Sequence, residues 1–192
     1  MNYELGKKAA GFTLIELMVA MVAFSIISIA FINLFISAIS QQRRILNLNN
    51  LLNNVSYSLE YMDRAIRLAQ KDMAGACVAN VKYNYSAPFP YTYVRFLTYQ
   101  TPAVCLEFSR QGDRLMVRRS SDQTAVNLGA YEPLTPTDLL VKDVKFNVIN
   151  DGQAGQKQPR VTINLIMETK ELTPQTLNLQ TTICQRNPNF TQ

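Results

Sequence analysis

Residues 7–20 read KKAAGFTLIELMVA, and they open an apolar run that continues as MVAFSIISIAFINLFISAIS to residue 40. From Leu17 to Ile32 there are sixteen residues whose only polar side chains are two serines. Roughly twenty helical residues at about 1.5 Å each cross a bilayer core, so the segment 12–39 is long enough to span one. Its order is unusual. A secretory signal has a shorter apolar region followed by small residues at the cut. Here the small residues and Gly11 precede the apolar run, on the lysine side. Any cut then falls at Gly11–Phe12, and the apolar helix stays on the mature chain. Lys7 and Lys8 hold the leader in the cytoplasm. Glu16 places a carboxylate inside the apolar segment, which is costly unless it reaches the interface or a cation.

The remaining composition narrows the function classes. The chain has 192 residues and a net charge of +5. Residues 1–11 account for +1 (Lys7 and Lys8 against Glu4), which leaves +4 for the rest, too mild an excess to argue for nucleic acid by itself. Histidine is absent, which removes the commonest general base and metal ligand. The three cysteines, 77, 105 and 184, are far apart and form no CxxC pair, against a zinc site. If this part is exported, one disulfide and one free thiol are expected. Three pairings are open; Cys77 with Cys105 is the one we expect, with three unpaired thiols as the competing reading. Asp138, Asp143 and Asp151 lack calcium-loop spacing, so no metal and no cofactor are expected.

Between Phe12 and Ala74 lie sixty-three residues without glycine or proline, which predicts one continuous helix of roughly 90 Å ending at Gly75. In its second half Ile45, Leu48, Leu52, Val55, Leu59, Met62, Ile66, Ala69 and Met73 recur at spacings of three and four, an apolar stripe on one face. Beyond it, 78–85 and 91–99 read as strands. Residues 105–110 and 114–120 form a hairpin across Gly112-Asp113, with Glu107 opposite Arg118 on the outer face and Phe108 opposite Val117 on the inner. Strands follow with Val144, Phe146 and Val148, then Val161, Ile163, Leu165 and Met167, then Leu177, Leu179 and Ile183 on one side each. The fold class is α+β: one long N-terminal helix, membrane-spanning in its first half and amphipathic in its second, on an antiparallel sheet. The expected parts are a leader 1–11, a transmembrane helix 12–39, an amphipathic half-helix 40–74 and an exported β-rich domain 75–192.

The stretch KKAAGFTLIELMVAMV resembles the class III signal of type IV pilins and type II secretion pseudopilins. That signal is a basic leader, Gly, a methylatable Phe, three residues, Glu and then about twenty apolar residues; Gly11, Phe12, Thr13, Leu14, Ile15, Glu16 and Leu17 match it. The resemblance covers residues 7 to about 40. It implies cleavage after Gly11 by a prepilin peptidase, N-methylation of Phe12, and pairing of Glu16 with the Phe12 amine of a neighbouring subunit. It also implies other pilin or pseudopilin subunits, an inner-membrane assembly platform and membrane lipid as partners. The subunit would be a single-pass inner-membrane protein, cytoplasmic at its N-terminus, before it enters a periplasmic or cell-surface filament. SLEYMDRAIRLA and LNLQTTICQRN are loosely similar to the PilW-like minor pilins and the J-type pseudopilins. The membrane segment lacks the proline common in major pilins, and only Cys184 is near the end, so the resemblance points to a minor, priming or tip subunit.

Two other readings compete. Arg110, Arg114, Arg118 and Arg119 lie within ten residues, and Tyr83, Tyr85, Phe89, Tyr91, Tyr93, Phe96 and Tyr99 within seventeen, with Lys82 and Arg95 among them. Basic groups among aromatic platforms suit nucleic-acid strands, so residues 83–119 are a candidate contact surface for DNA or another surface on such a fibre. The plainer reading makes the aromatics strand formers and has Glu107 and Asp113 neutralise the arginines; it is favoured. No motif suggests an enzyme.

Overall fold

The computed structural model describes residues 11, 13–152, 157–171 and 174–186. The chain divides into two compact units, Met1–Leu46 and Asn47–Gln192. One helix, α1 (Leu14–Arg67, 54 residues), contributes to both. In the first unit its side chains are almost all exposed, and the helix is long and apolar enough to cross a membrane. The Ser25 hydroxyl donates to the Met21 carbonyl at 2.8 Å, so this polar group is satisfied within the helix and needs no water.

In the second unit α1 buries Leu51, Val55, Ser58, Met62 and Ile66. The expected stripe holds at Val55, Met62 and Ile66. Leu48 and Leu52 are exposed, Leu59 is half-buried, and Leu51 and Ser58 take the inner line. The expected spacing averaged 3.5 residues, whereas a straight helix has 3.6 per turn and drifts by about 20° per heptad away from such a line. Ser58 is tolerated there because its single hydroxyl hydrogen has an acceptor in the Asn54 carbonyl (2.9 Å), with the Leu134 carbonyl as the alternative at 3.3 Å.

The helix stops at Arg67, not at Gly75 as the breaker count predicts. Leu68 makes a tighter bond to Ala65, and the chain then joins a sheet as β1 (Ala69–Gln70). The reason is tertiary: Ala69 pairs with Thr98 and Gln70 with Leu97, and the Tyr99 amide donates to the Leu68 carbonyl at 2.6 Å. The buried Asp72 carboxylate then accepts the amides of Ala74, Gly75, Cys77 and Val78 at 2.7–3.0 Å. This grip turns 71–84 into a loop where a strand was expected, with only β2 (Tyr85–Ser86) following. Gly75 sits at φ 70° in that loop, where a side chain would press on Val81.

The β-structure forms two sheets rather than the single one expected. The first orders β1, β3 (Tyr93–Thr98), β4 (Cys105–Gln111), β5 (Arg114–Arg119) and β6 (Glu132–Pro133), with β2 also on β3. The second orders β7 (Leu139–Ile149), β8 (Arg160–Thr169) and β9 (Thr176–Cys184). All pairs are antiparallel. The hairpin over Gly112-Asp113 has the predicted register, Glu107 with Arg118 and Phe108 with Val117. Gly112, at φ 59°, takes the first turn position, which a two-residue loop of this hand reserves for glycine.

One apolar core joins the α1 face to both sheets. Phe96, Phe108, Phe146, Ile163 and Met167 are fully buried in it with Met62 and Ile66. Each such side chain contributes about 1.5–3 kcal/mol of transfer free energy. On β7, β8 and β9 the residues expected inward do face this core, with Val148, Leu177 and Leu179 only partly covered. A second, smaller cluster surrounds a disulfide between Cys77 and Cys105, whose Cα atoms are 5.5 Å apart. Cys184 is a half-buried free thiol.

Candidate functional site

The described part of the N-terminal signal begins at Gly11 and Thr13; Phe12, Lys7 and Lys8 lie outside the described residues. Gly11 is exposed, and a Cβ built on it meets no atom within 4 Å. Among the described residues, neither packing nor a left-handed backbone demands a glycine there.

Thr13 starts the helix. Its carbonyl accepts the first helical bond, from the Leu17 amide at 3.2 Å. Its hydroxyl accepts the Glu16 amide at 3.3 Å, and Glu16 Oε2 accepts both the Thr13 amide (3.1 Å) and the Thr13 hydroxyl (3.0 Å). This is a capping box: the two residues satisfy each other's orphan amides. Glu16 is therefore held to its own helix start, a role that T-x-x-E ahead of an apolar run spells out but that the charge argument alone passes over. Both bonds fall on Oε2. A carboxylate has about four acceptor positions, so Oε1 keeps capacity for a further donor.

Loss of the cap has a measurable consequence. In Thr13→Val the Glu16 amide loses its acceptor, and hydrogen exchange of the first-turn amides in lipid or detergent should accelerate about fivefold. Thr13→Ser should stay near wild type. Equal exchange in Thr13→Val and wild type would remove the box.

The aromatic and basic residues of 83–119 are dispersed by the fold. Tyr85 and Phe96 are in the core, and Tyr83 packs against the disulfide cluster. Burial pushes the Tyr85 phenol well above its usual value, and its hydroxyl donates to the Ile66 carbonyl at 2.8 Å. Of the seven rings, Phe89, Tyr91 and Tyr99 are exposed, with Phe89 and Tyr91 in edge contact at 5.8 Å. Glu107 is only 2% exposed rather than on an open outer face. It joins Arg95 (2.7 Å) and Arg118 (2.8 Å), and these guanidiniums lie over Tyr93 (5.2 Å) and Tyr131 (4.7 Å). The Glu107 hydrogen bond holds Arg118 above its usual pKa, against the opposing effect of burial. Arg114 donates to the Thr135 carbonyl. Three of the basic side chains thus have partners inside the domain. No group of three or more acidic or cysteine ligands is placed to hold a metal among the described residues.

Comparison with family models matches residues 6–32 to the prokaryotic N-terminal methylation motif. Comparison with curated proteins and with solved structures gives no match. The matched segment contains Gly11 and the Thr13–Glu16 box, and it runs into the apolar half of α1. The chain therefore carries a prokaryotic N-terminal methylation motif, the class III prepilin signal, at the start of one long N-terminal helix whose second half packs on antiparallel sheets, an α+β, pilin-like arrangement.

Proposed function

We propose that this protein is a structural prepilin, cut after Gly11, N-methylated on Phe12 and built as a minor subunit, at the priming or tip position, into a type IV pilus or pseudopilus. The observation that carries the reading is the methylation motif at residues 6–32, which runs into the apolar half of a helix able to cross a membrane. Gly11 adds support: among the described residues nothing packs where its Cβ would stand, and a peptidase that must approach the backbone closely favours a glycine. Before assembly the apolar half of α1 sits in the inner membrane, with the leader cytoplasmic and residues 75–192 outside. In the filament, helix-to-helix packing replaces lipid, and Glu16 offers Oε1 to the Phe12 amine of a neighbour while Oε2 keeps its own helix capped. Prepilin peptidase, other pilin subunits and the assembly platform are the partners. This signal points to a structural protein rather than an enzyme.

Coexpression with a prepilin peptidase should shorten the chain by the eleven residues 1–11 and leave a methylated Phe12, read by intact-mass spectrometry. An intact leader in the presence of an active peptidase overturns the proposal.

A further inference from the structure

The terminal strands of the two sheets are treated very differently. An open sheet edge offers unpaired amides and carbonyls to any other strand, and folded proteins blunt it with shortness, proline, charge, bulges or cover. β1, β2 and β6 have two residues each, and β6 includes Pro133. β7 is long, but its register breaks between Val141 and Asp143, it carries Lys142 and Lys145, and its Val141 and Phe146 amides donate to the carbonyls of Asp113 and Tyr91, both at 2.8 Å.

Among the described residues, β9 has none of these devices. Its nine residues, TLNLQTTIC, include no charge and no proline. It pairs with β8 residue for residue, from Arg160 with Cys184 to Glu168 with Thr176, without a shift. Among the described residues, the backbone of 176–182 takes no bond beyond that ladder, while at the far end Arg186 turns to the Arg67 carbonyl. Leu177 and Leu179 on the inner side remain half-buried, although the β8 residues beside them, Leu165 and Met167, are at most 1% exposed.

We propose that this edge pairs with the same edge of a second copy of the chain, antiparallel and centred on Leu179. The strand is self-complementary in that register. Leu179 meets Leu179 of the other copy and Leu177 meets Thr181 on the inner side. Asn178 meets Gln180 and Thr176 meets Thr182 on the outer side. No charge is set against charge, and the contact is isologous, as a two-fold pair requires. Two three-stranded sheets become one of six. The contact lies in the unit Asn47–Gln192 and does not depend on the prepilin reading.

The test uses the full chain in detergent micelles with Cys184→Ser. Mixed Asn178→Cys and Gln180→Cys chains should cross-link to each other on mild oxidation. Asn164→Cys, exposed one strand further in, should not. Adding Gln180→Lys to the Asn178→Cys chain and Asn178→Lys to the Gln180→Cys chain should cut the cross-linked yield at least tenfold. Replacing the lysine of only one of the two partners by glutamate, so that Glu faces Lys, should restore it. Monomers throughout, cross-linking through Asn164→Cys at the same yield, or a yield indifferent to the lysines would overturn the proposal. Monomers whose β9 cysteines cross-link only to a coexpressed pilin subunit would also overturn it, and would assign the edge to a different chain.

Discussion

Glu107→Ala is expected to lower the stability of the unit Asn47–Gln192 by about 3 kcal/mol, among the largest effects of any single substitution outside the apolar core. The physical reason is an uncompensated pair of cations. The Glu107 carboxylate is 2% exposed, and the side chains of Arg95 and Arg118 are 20% and 24% exposed. With the carboxylate gone, two guanidiniums are left side by side, partly shielded from water and stacked on Tyr93 and Tyr131, where they cannot turn fully outward. Glu107→Gln keeps an acceptor for only one of the two arginines and turns an NH2 donor toward the other, so it should lose somewhat less than the alanine variant but remain clearly destabilised. Replacing all three charged residues together by apolar residues of similar size should cost less than Glu107→Ala alone, because a removed triad leaves no unpaired charge. Urea unfolding of the intact chain in micelles, followed by tyrosine fluorescence in a protein without tryptophan, reads all three. A Glu107→Ala protein within about 0.5 kcal/mol of wild type would show that the arginines rehydrate freely.

Glu16→Gln is expected to leave cleavage and helix capping intact and to reduce filament incorporation at least tenfold. Glutamine serves in a capping box as glutamate does, so this variant retains the bonds to Thr13. What it lacks is the charge. If the neighbour's methylated amine requires an anion in an apolar layer, a neutral amide does not replace it. Glu16→Ala removes both roles and should be at least as defective, with faster first-turn exchange in addition. The incorporated fraction in sheared filaments, by immunoblot against the processed membrane pool, gives the measurement. Glutamine at wild-type incorporation with alanine defective would confine Glu16 to its own helix start and remove the pairing role.

The hairpin register was legible because two residues, Gly112-Asp113, fix it locally, and the inward positions of β7, β8 and β9 were legible because a period of two survives any tertiary arrangement. The α1 terminus was not. Breaker residues state where a helix can run, whereas Leu68–Gln70 leave it because β3 offers them a ladder. Nor was Asp72 singled out: a lone aspartate in a helical pattern carries no mark of the four amides that converge on it. The aromatic run failed as a platform for a related reason. Alternation put Phe96 into the core, and Tyr85, from a different strand, met it there.

By itself the sequence determined the N-terminal methylation motif, the apolar span and the α+β class. Each of these rests on residues within a few positions of one another, where order and spacing are the physics. The tertiary structure alone decided the division into two sheets, the burial of Glu107 between two arginines and an edge of β9 whose residues 176–182 make no backbone bond beyond the β8 ladder among the described residues. Those depend on which distant segments meet, and in a chain of this length the free energy of such meetings outweighs local preference.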